Sequence, residues 1–246
     1  MTLLEVCVDT AEGLAAAILG GADRVELCSV LELGGLTPYA GLMALAGRAP
    51  VPVRAISGYF RTQSGPRAGD FVFTAGDLEA MLGDIEAARQ AGLAGVVLGA
   101  SLPDGRLDIE KLERLLDEAG ELQKTLHRAI DLVPDMAEAV EQAIALGFDT
   151  ILTSGRASSA LEGIADLELA HNVADGRITI MAGAGVNAAT APHILGRVPL
   201  AAVHGSCSEP VPPDGDVAQR LGFVSPTRRA TSPDKVAALK AALAVH

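Results

Sequence analysis

The sequence predicts an α/β protein, a (β/α)8 or TIM barrel, and three observations point there. One is a recurring unit in which a stretch rich in Ala, Leu and Glu meets a glycine and then a short β-branched run, as in residues 18–25, 91–98 and 145–152. The glycine suits the left-handed stop of a helix, and the run behind it reads as a buried strand of a parallel sheet. Another is size: 246 residues, 49% of them hydrophobic, can bury a large core as a single domain over 1–246. The third is the alternation in Leu4-Glu5-Val6-Cys7 and Val25-Glu26-Leu27-Cys28, which sets carboxylate and thiol on one face and apolar residues on the other. Such strands line a polar interior, because a buried carboxylate is costly unless it is paired or used.

Strands are expected near 3–8, 23–28, 52–57, 95–99, 123–128, 149–153, 177–182 and 200–204, each with a helical segment behind it, the last at about 233–244. Right-handed crossovers put the helices outside and gather the loops after the strands on one rim. The first two strands carry the alternation just described. After the second, Gly34-Gly35-Leu36-Thr37-Pro38 reads as a glycine turn and a helix start, with Thr37 as N-cap and Pro38 in the first helical position. The third strand carries Arg54, and residues 57–70 behind it read as a mobile loop over the mouth. The fourth strand follows the Ala91-Gly92 join. The fifth ends Thr125-Leu126-His127-Arg128, with Asp131 just beyond, and the sixth ends Thr153-Ser154-Gly155. The seventh runs into Ala182-Gly183-Ala184-Gly185, and the eighth ends His204-Gly205-Ser206-Cys207 before an irregular segment near 205–232. An open doubly wound sheet is the competing architecture, but no Gly-x-Gly-x-x-Gly follows the first strand.

Composition narrows the function. A net charge of −12, from 31 acidic and 19 basic residues, argues against nucleic acid or an anionic membrane as partner. Three cysteines, with no signal peptide after Met1 and no long uncharged apolar run, predict reduced thiols in the cytoplasm rather than a disulfide framework. With no Trp, two Tyr and five Phe, few platforms exist for stacking bases or sugars.

The polar residues at the strand ends predict a site at the rim. Glu5, Glu26, His127 and Asp131 are the candidate acids and bases, with His127 the leading one and Asp131 its orienter. Arg54 and Arg128 suit an anion or a carbonyl, while Arg24 with Glu26, and Arg54 with Glu5, also read as core ion pairs. Gly183 and Gly185, with His204 across from them, suit a phosphate or carboxylate held by backbone N–H groups, and Thr153, Ser154 and Gly155 add donors beside them. Thiolates select Cu(I), and Cys7, Cys28 and Cys207 lie on strands 1, 2 and 8, which become neighbours with His204 once a barrel closes.

The motifs Leu4-Glu5-Val6-Cys7-Val8-Asp9, Gly21-Ala22-Asp23-Arg24-Val25-Glu26-Leu27-Cys28, Gly34-Gly35-Leu36-Thr37-Pro38, Leu126-His127-Arg128-Ala129-Ile130-Asp131 and Leu152-Thr153-Ser154-Gly155 stand in the order seen in the CutC copper homeostasis family. The chain resembles that family from its first strand to His204. The resemblance implies a cytoplasmic, self-associating TIM barrel linked to copper handling, with Cu(I) on Cys7 and Cys28 and a rim of Glu5, Glu26, His127, Arg128, Asp131 and His204. It departs from the family by inserting residues 57–64, so that the loop arginine comes from Arg61 or Arg67. Two functions are therefore expected to compete. One is Cu(I) binding at the mouth. The other is acid/base chemistry of lyase, isomerase or hydrolase type on a small anionic metabolite such as a sugar phosphate.

Overall fold

The structure is a computed structural model, and it describes residues 2–58, 71–211, 217, 220–221 and 228–244. Parallel strands β1 (Leu3–Val8), β2 (Arg24–Leu27), β3 (Val53–Ile56), β4 (Gly95–Leu98), β5 (Gln123–Leu126), β6 (Thr150–Thr153), β7 (Thr179–Ala182) and β8 (Ala202–Gly205) pair in that order and close, β8 against β1. Around them run α1 (Ala11–Leu19), α2 (Ala40–Ala46), α3 (Ala75–Gln90), α4 (Ile109–Ala119), α5 (Met136–Ala145), α6 (Ile164–Ala174), α7 (Ala191–Leu195) and α8 (Pro233–Leu243). This is the (β/α)8 barrel that the repeat predicts, with each strand within about two residues of its expected place. Among the described residues, no helix is long and apolar enough to cross a membrane.

Two local expectations fail. Thr37 does not cap a helix: α2 begins at Ala40, and the Thr37 hydroxyl instead donates to Asp84 Oδ2 (2.7 Å) and accepts from the Gly58 amide (3.2 Å). A long-range partner thus outcompetes the local cap. The segment near 205–232 is not wholly irregular, because β9 (Ser208–Pro210) pairs antiparallel with β10 (Arg229–Thr231) just before α8. Most of the loop at 57–70, including Arg61 and Arg67, lies outside the described residues.

Alternation sorts the strand residues as the barrel requires. Outward-facing Leu4, Val6, Val25, Leu27, Val96, Leu98, Ile151 and Val203 are fully buried against the helices in one continuous core. Inside the barrel two small apolar clusters form, Cys28 with Ile56 and Val97 on the β2–β4 side, and Leu152 with Met181 and Ala202 on the β6–β8 side. Between them runs a polar belt. The register builds it: Glu5 stands opposite Arg24 on β2 and His204 on β8, Cys7 opposite Glu26, and Glu26 opposite Arg54. Gly99 makes room for part of this interior, since a Cβ there would lie 2.5 Å from the His127 ring.

Candidate functional site at the barrel mouth

Glu5 is the buried hub of the belt. Its Oε1 accepts from His204 Nδ1 at 2.9 Å, and its Oε2 forms an ion pair with the Arg24 guanidinium, which also approaches Met181 Sδ at 3.3 Å. Because Nδ1 of His204 is engaged by a carboxylate, Nε2 is left facing Cys7 and Glu26, with Glu26 Oε2 at 3.7 Å. One donor atom from each of Cys7, Glu26 and His204 lies within 4.8 Å of the others, and all three residues are buried.

The environment pushes these groups apart in acidity. For Glu5, burial would raise the pKa, but the hydrogen bond from His204 and the charge of Arg24 outweigh it and bring it down to about 2. For Glu26, burial dominates: with Glu5 also repelling a second charge, its pKa rises to about 7 despite His204 nearby. Burial disfavours the charged ring of His204, yet Glu26, Cys7 and Glu5 together hold its pKa well above the ordinary value. Near neutral pH the site therefore holds an anionic Glu5, a protonated His204 and a Glu26 poised to gain or lose a proton.

Cys7, Glu26 and His204 form the base of a cavity of about 720 Å³. The backbone from Ala184 to Ala189 and from Gly205 to Ser208 makes one wall, and Arg128, Arg229 and Lys235 stand around it. Two wall residues hold left-handed backbone without being glycine, Ala184 at φ 70° and Cys207 at φ 46°. Each such conformation costs on the order of 1–3 kcal/mol and persists only where the surroundings impose it.

Several expected roles change. His127 is fully buried, accepts the Ala129 amide on Nδ1 (3.1 Å) and packs on Phe71 with ring centroids 4.6 Å apart. Burial takes its pKa down to about 3, so it is a neutral structural ring at physiological pH. Asp131 does not orient it. Its carboxylate meets Arg128 Nε (2.7 Å), the Thr153 hydroxyl (2.5 Å), the Ser154 hydroxyl (2.9 Å) and the Arg156 amide (3.1 Å). Thr153 and Ser154 are thereby occupied as structural donors, and the Gly155 amide turns back to Thr153 Oγ1 (2.9 Å). The Gly183 amide is spent on the Thr153 carbonyl (2.9 Å), while Gly185 does line the cavity.

Ion pairing also differs from the reading of the strands. Arg24 pairs with Glu5 rather than Glu26, and Arg54 turns to the hydroxyls of Thr125 and Thr150 and to Gln123 Oε1 (2.9 Å) rather than to Glu5. Cys28 stands apart from the Cys7 cluster, its thiol donating to the Val8 carbonyl (3.4 Å) and its pKa driven up by burial. Arg229 and Lys235 were beyond sequence reasoning, because the pairing of β10 with β9 and the docking of α8 bring them to the mouth from a distant segment. A basic pair just before and within the last helix was the only signal.

The profile of the CutC family matches residues 2–209. The chain belongs to the CutC family. A CutC family protein of Sinorhizobium medicae is 54% identical over 241 residues, covering 98% of this chain and 96% of its own. The CutC protein of Caulobacter vibrioides is 51% identical over 237 residues, covering 96% and 94%. The crystal structure of CutC from Streptococcus agalactiae, whose name refers to copper homeostasis, aligns with a TM-score of 0.76 at 29% identity, covering 84% of this chain and 99% of that one. Phosphoribosylanthranilate isomerase of Thermotoga maritima, with a TM-score of 0.56 at 13% identity and full coverage of both chains, shares the fold alone.

Proposed function

We propose that this CutC-family barrel is an enzyme that moves protons on a small molecule bound at its mouth. One observation carries the reading: a buried acid/base pair, Glu26 and His204, forms the base of a cavity of about 720 Å³, a volume suited to a metabolite and far larger than an ion needs. Glu26 serves as the base, its raised pKa matching the operating pH, and protonated His204 serves as the acid, its Nδ1–H held by Glu5 so that the ring presents Nε2–H to the cavity. Arg24 keeps Glu5 anionic and so fixes that ring orientation from behind. The three free thiols suit a reducing compartment such as the cytoplasm.

Proton transfer leaves an isotopic trace. Incubation with a panel of sugar phosphates and keto acids in D2O, followed by NMR, is expected to show conversion or deuterium incorporation for at least one compound. Glu26→Gln and His204→Asn should each slow it by about 10²–10⁴-fold. No exchange or conversion with any compound, or rates unchanged in both variants, would reject the reading.

A second reading is favoured by the 4.8 Å grouping itself: a copper ion carried as cargo. The donors fit, since a thiol and an imidazole suit Cu(I) and the carboxylate on the far ring nitrogen is the outer-shell partner that metal-bound histidines use. Cys7 and His204 would hold the ion, with Glu26 as third donor. Anaerobic Cu(I) titration separates this from a Cys7–Cys28 site: affinity should be lost in Cys7→Ser and kept in Cys28→Ser. Equal loss in both would restore the two-cysteine site.

A further inference from the structure

The chain carries a net charge of −12, yet the charged side chains lining the main cavity are, among the described residues, one carboxylate, Glu26, against Arg128, Arg229, Lys235 and the imidazole of His204. This local reversal of sign is built rather than incidental. Arg229 donates from Nε to Ser208 Oγ (3.0 Å) and from Nη2 to the Ser208 carbonyl (2.8 Å), and no carboxylate among the described residues pairs with it. Lys235 reaches the same carbonyl at 3.0 Å, with Glu209 loosely beside it at 3.9 Å. Ser208 thus gathers two cations at one point of the wall. Across the mouth, Arg128 is braced by Asp131 on Nε and by Ser154 on Nη2 (2.7 Å), which fixes the guanidinium that lines the cavity.

We infer that Arg229 and Lys235, with Arg128 opposite, form a grip for the doubly charged end of a small organic anion whose other end reaches Glu26 and His204. The inference rests on the proposed small-molecule site and adds its substrate class: a phosphate monoester or a dicarboxylate. Doubly charged oxyanions suit this arrangement because guanidinium groups present paired donors to them and a lysine adds a point charge. Two of its three cations, Arg229 and Lys235, lie outside the span of the family match, which ends at residue 209. Specificity for the anion would thus be set by the β10–α8 segment, while the proton-transfer groups sit on β1, β2 and β8.

The test is binding, not turnover. Melting temperature and calorimetric affinity are measured with ribose 5-phosphate, malonate and, as uncharged control, ribose. At least one of the two dianions should raise the melting temperature while ribose does not. In the double variant Arg229→Gln/Lys235→Gln the dissociation constant should rise about tenfold or more. The ligand-free melting temperature of that variant reports its folding, and Arg114→Gln, an exposed cation on α4, should bind as the parent does. Failure of both dianions to bind, or binding that the double variant leaves unaltered, overturns the grip. Dianion binding through Arg229 and Lys235 with no deuterium exchange across the panel upholds the grip and counts only against proton transfer.

Discussion

Glu5 and Glu26 are the same residue type on neighbouring strands, and their surroundings give them opposite roles. Glu5 has two partners and is a permanent anion, so removing its charge strands Arg24 inside the barrel. Glu5→Gln should therefore cost about 3–5 kcal/mol in urea unfolding at neutral pH. Glu26 has a folded pKa of about 7 against an ordinary value of 4.5, so the folded state holds a proton that the unfolded state has released. Its contribution is present below about pH 4.5 and is lost as pH rises through 7. Glu26→Gln should remove that loss, gaining about 1–3 kcal/mol relative to the parent between pH 5 and pH 8, read from paired urea titrations. His127 works in the other direction. Its folded pKa of about 3 lies below the ordinary 6.5, so its contribution is full above pH 6.5 and is lost as pH falls towards 3. Acid sensitivity below pH 6 should be shallower in His127→Gln, even though that variant is less stable at pH 7; an unchanged slope would mean that the ring is charged in the fold.

The elements stand on local chemistry that is easy to test. At the start of α3, Thr74 Oγ1 accepts the Asp77 amide and Asp77 Oδ2 accepts the Thr74 amide (2.7 Å), a reciprocal cap over a 16-residue helix. Thr74→Ala should lower stability by about 1 kcal/mol, read from urea unfolding. The strands depend instead on apolar contact. Leu98 and Ile151 have no exposed surface and face the helices, so alanine at either position should cost about 2–5 kcal/mol by thermal or urea unfolding. α8 has a double duty. Val236, Leu239 and Leu243 bury its inner face, while Lys235 in its first turn points to the cavity.

At the scale of the whole molecule, closure of β8 onto β1 brings His204 to Glu5 across nearly the full length of the chain. The helix that covers this seam, α8, contributes three buried aliphatic side chains worth about 2 kcal/mol each. That is a large part of the roughly 5–15 kcal/mol that holds a domain folded. A chain ending before Ser232 should lose its cooperative melting transition, followed by circular dichroism, and an unaltered melt would show that the seam closes without α8. The eight-strand plan and the inward placement of Glu5, Cys7, Glu26 and His204 were legible in residue order, because period-two alternation and glycine-ended helices are local and repeat. Partner choice was not. Arg24 lies within reach of two glutamates, His127 of Asp131, and Cys7 of Cys28 in any barrel drawn from the alternation. Which contact forms depends on register, on burial and on competing donors such as Thr153, Ser154 and the Val8 carbonyl. The cationic wall was still further from view, since Arg229 and Lys235 reach the mouth through a strand pair and a docked helix. Residue order thus carried the architecture and the inventory of reactive groups, whereas their pairing, acidity and access to a ligand arose from packing, because electrostatic energies depend on distances that only the closed barrel sets.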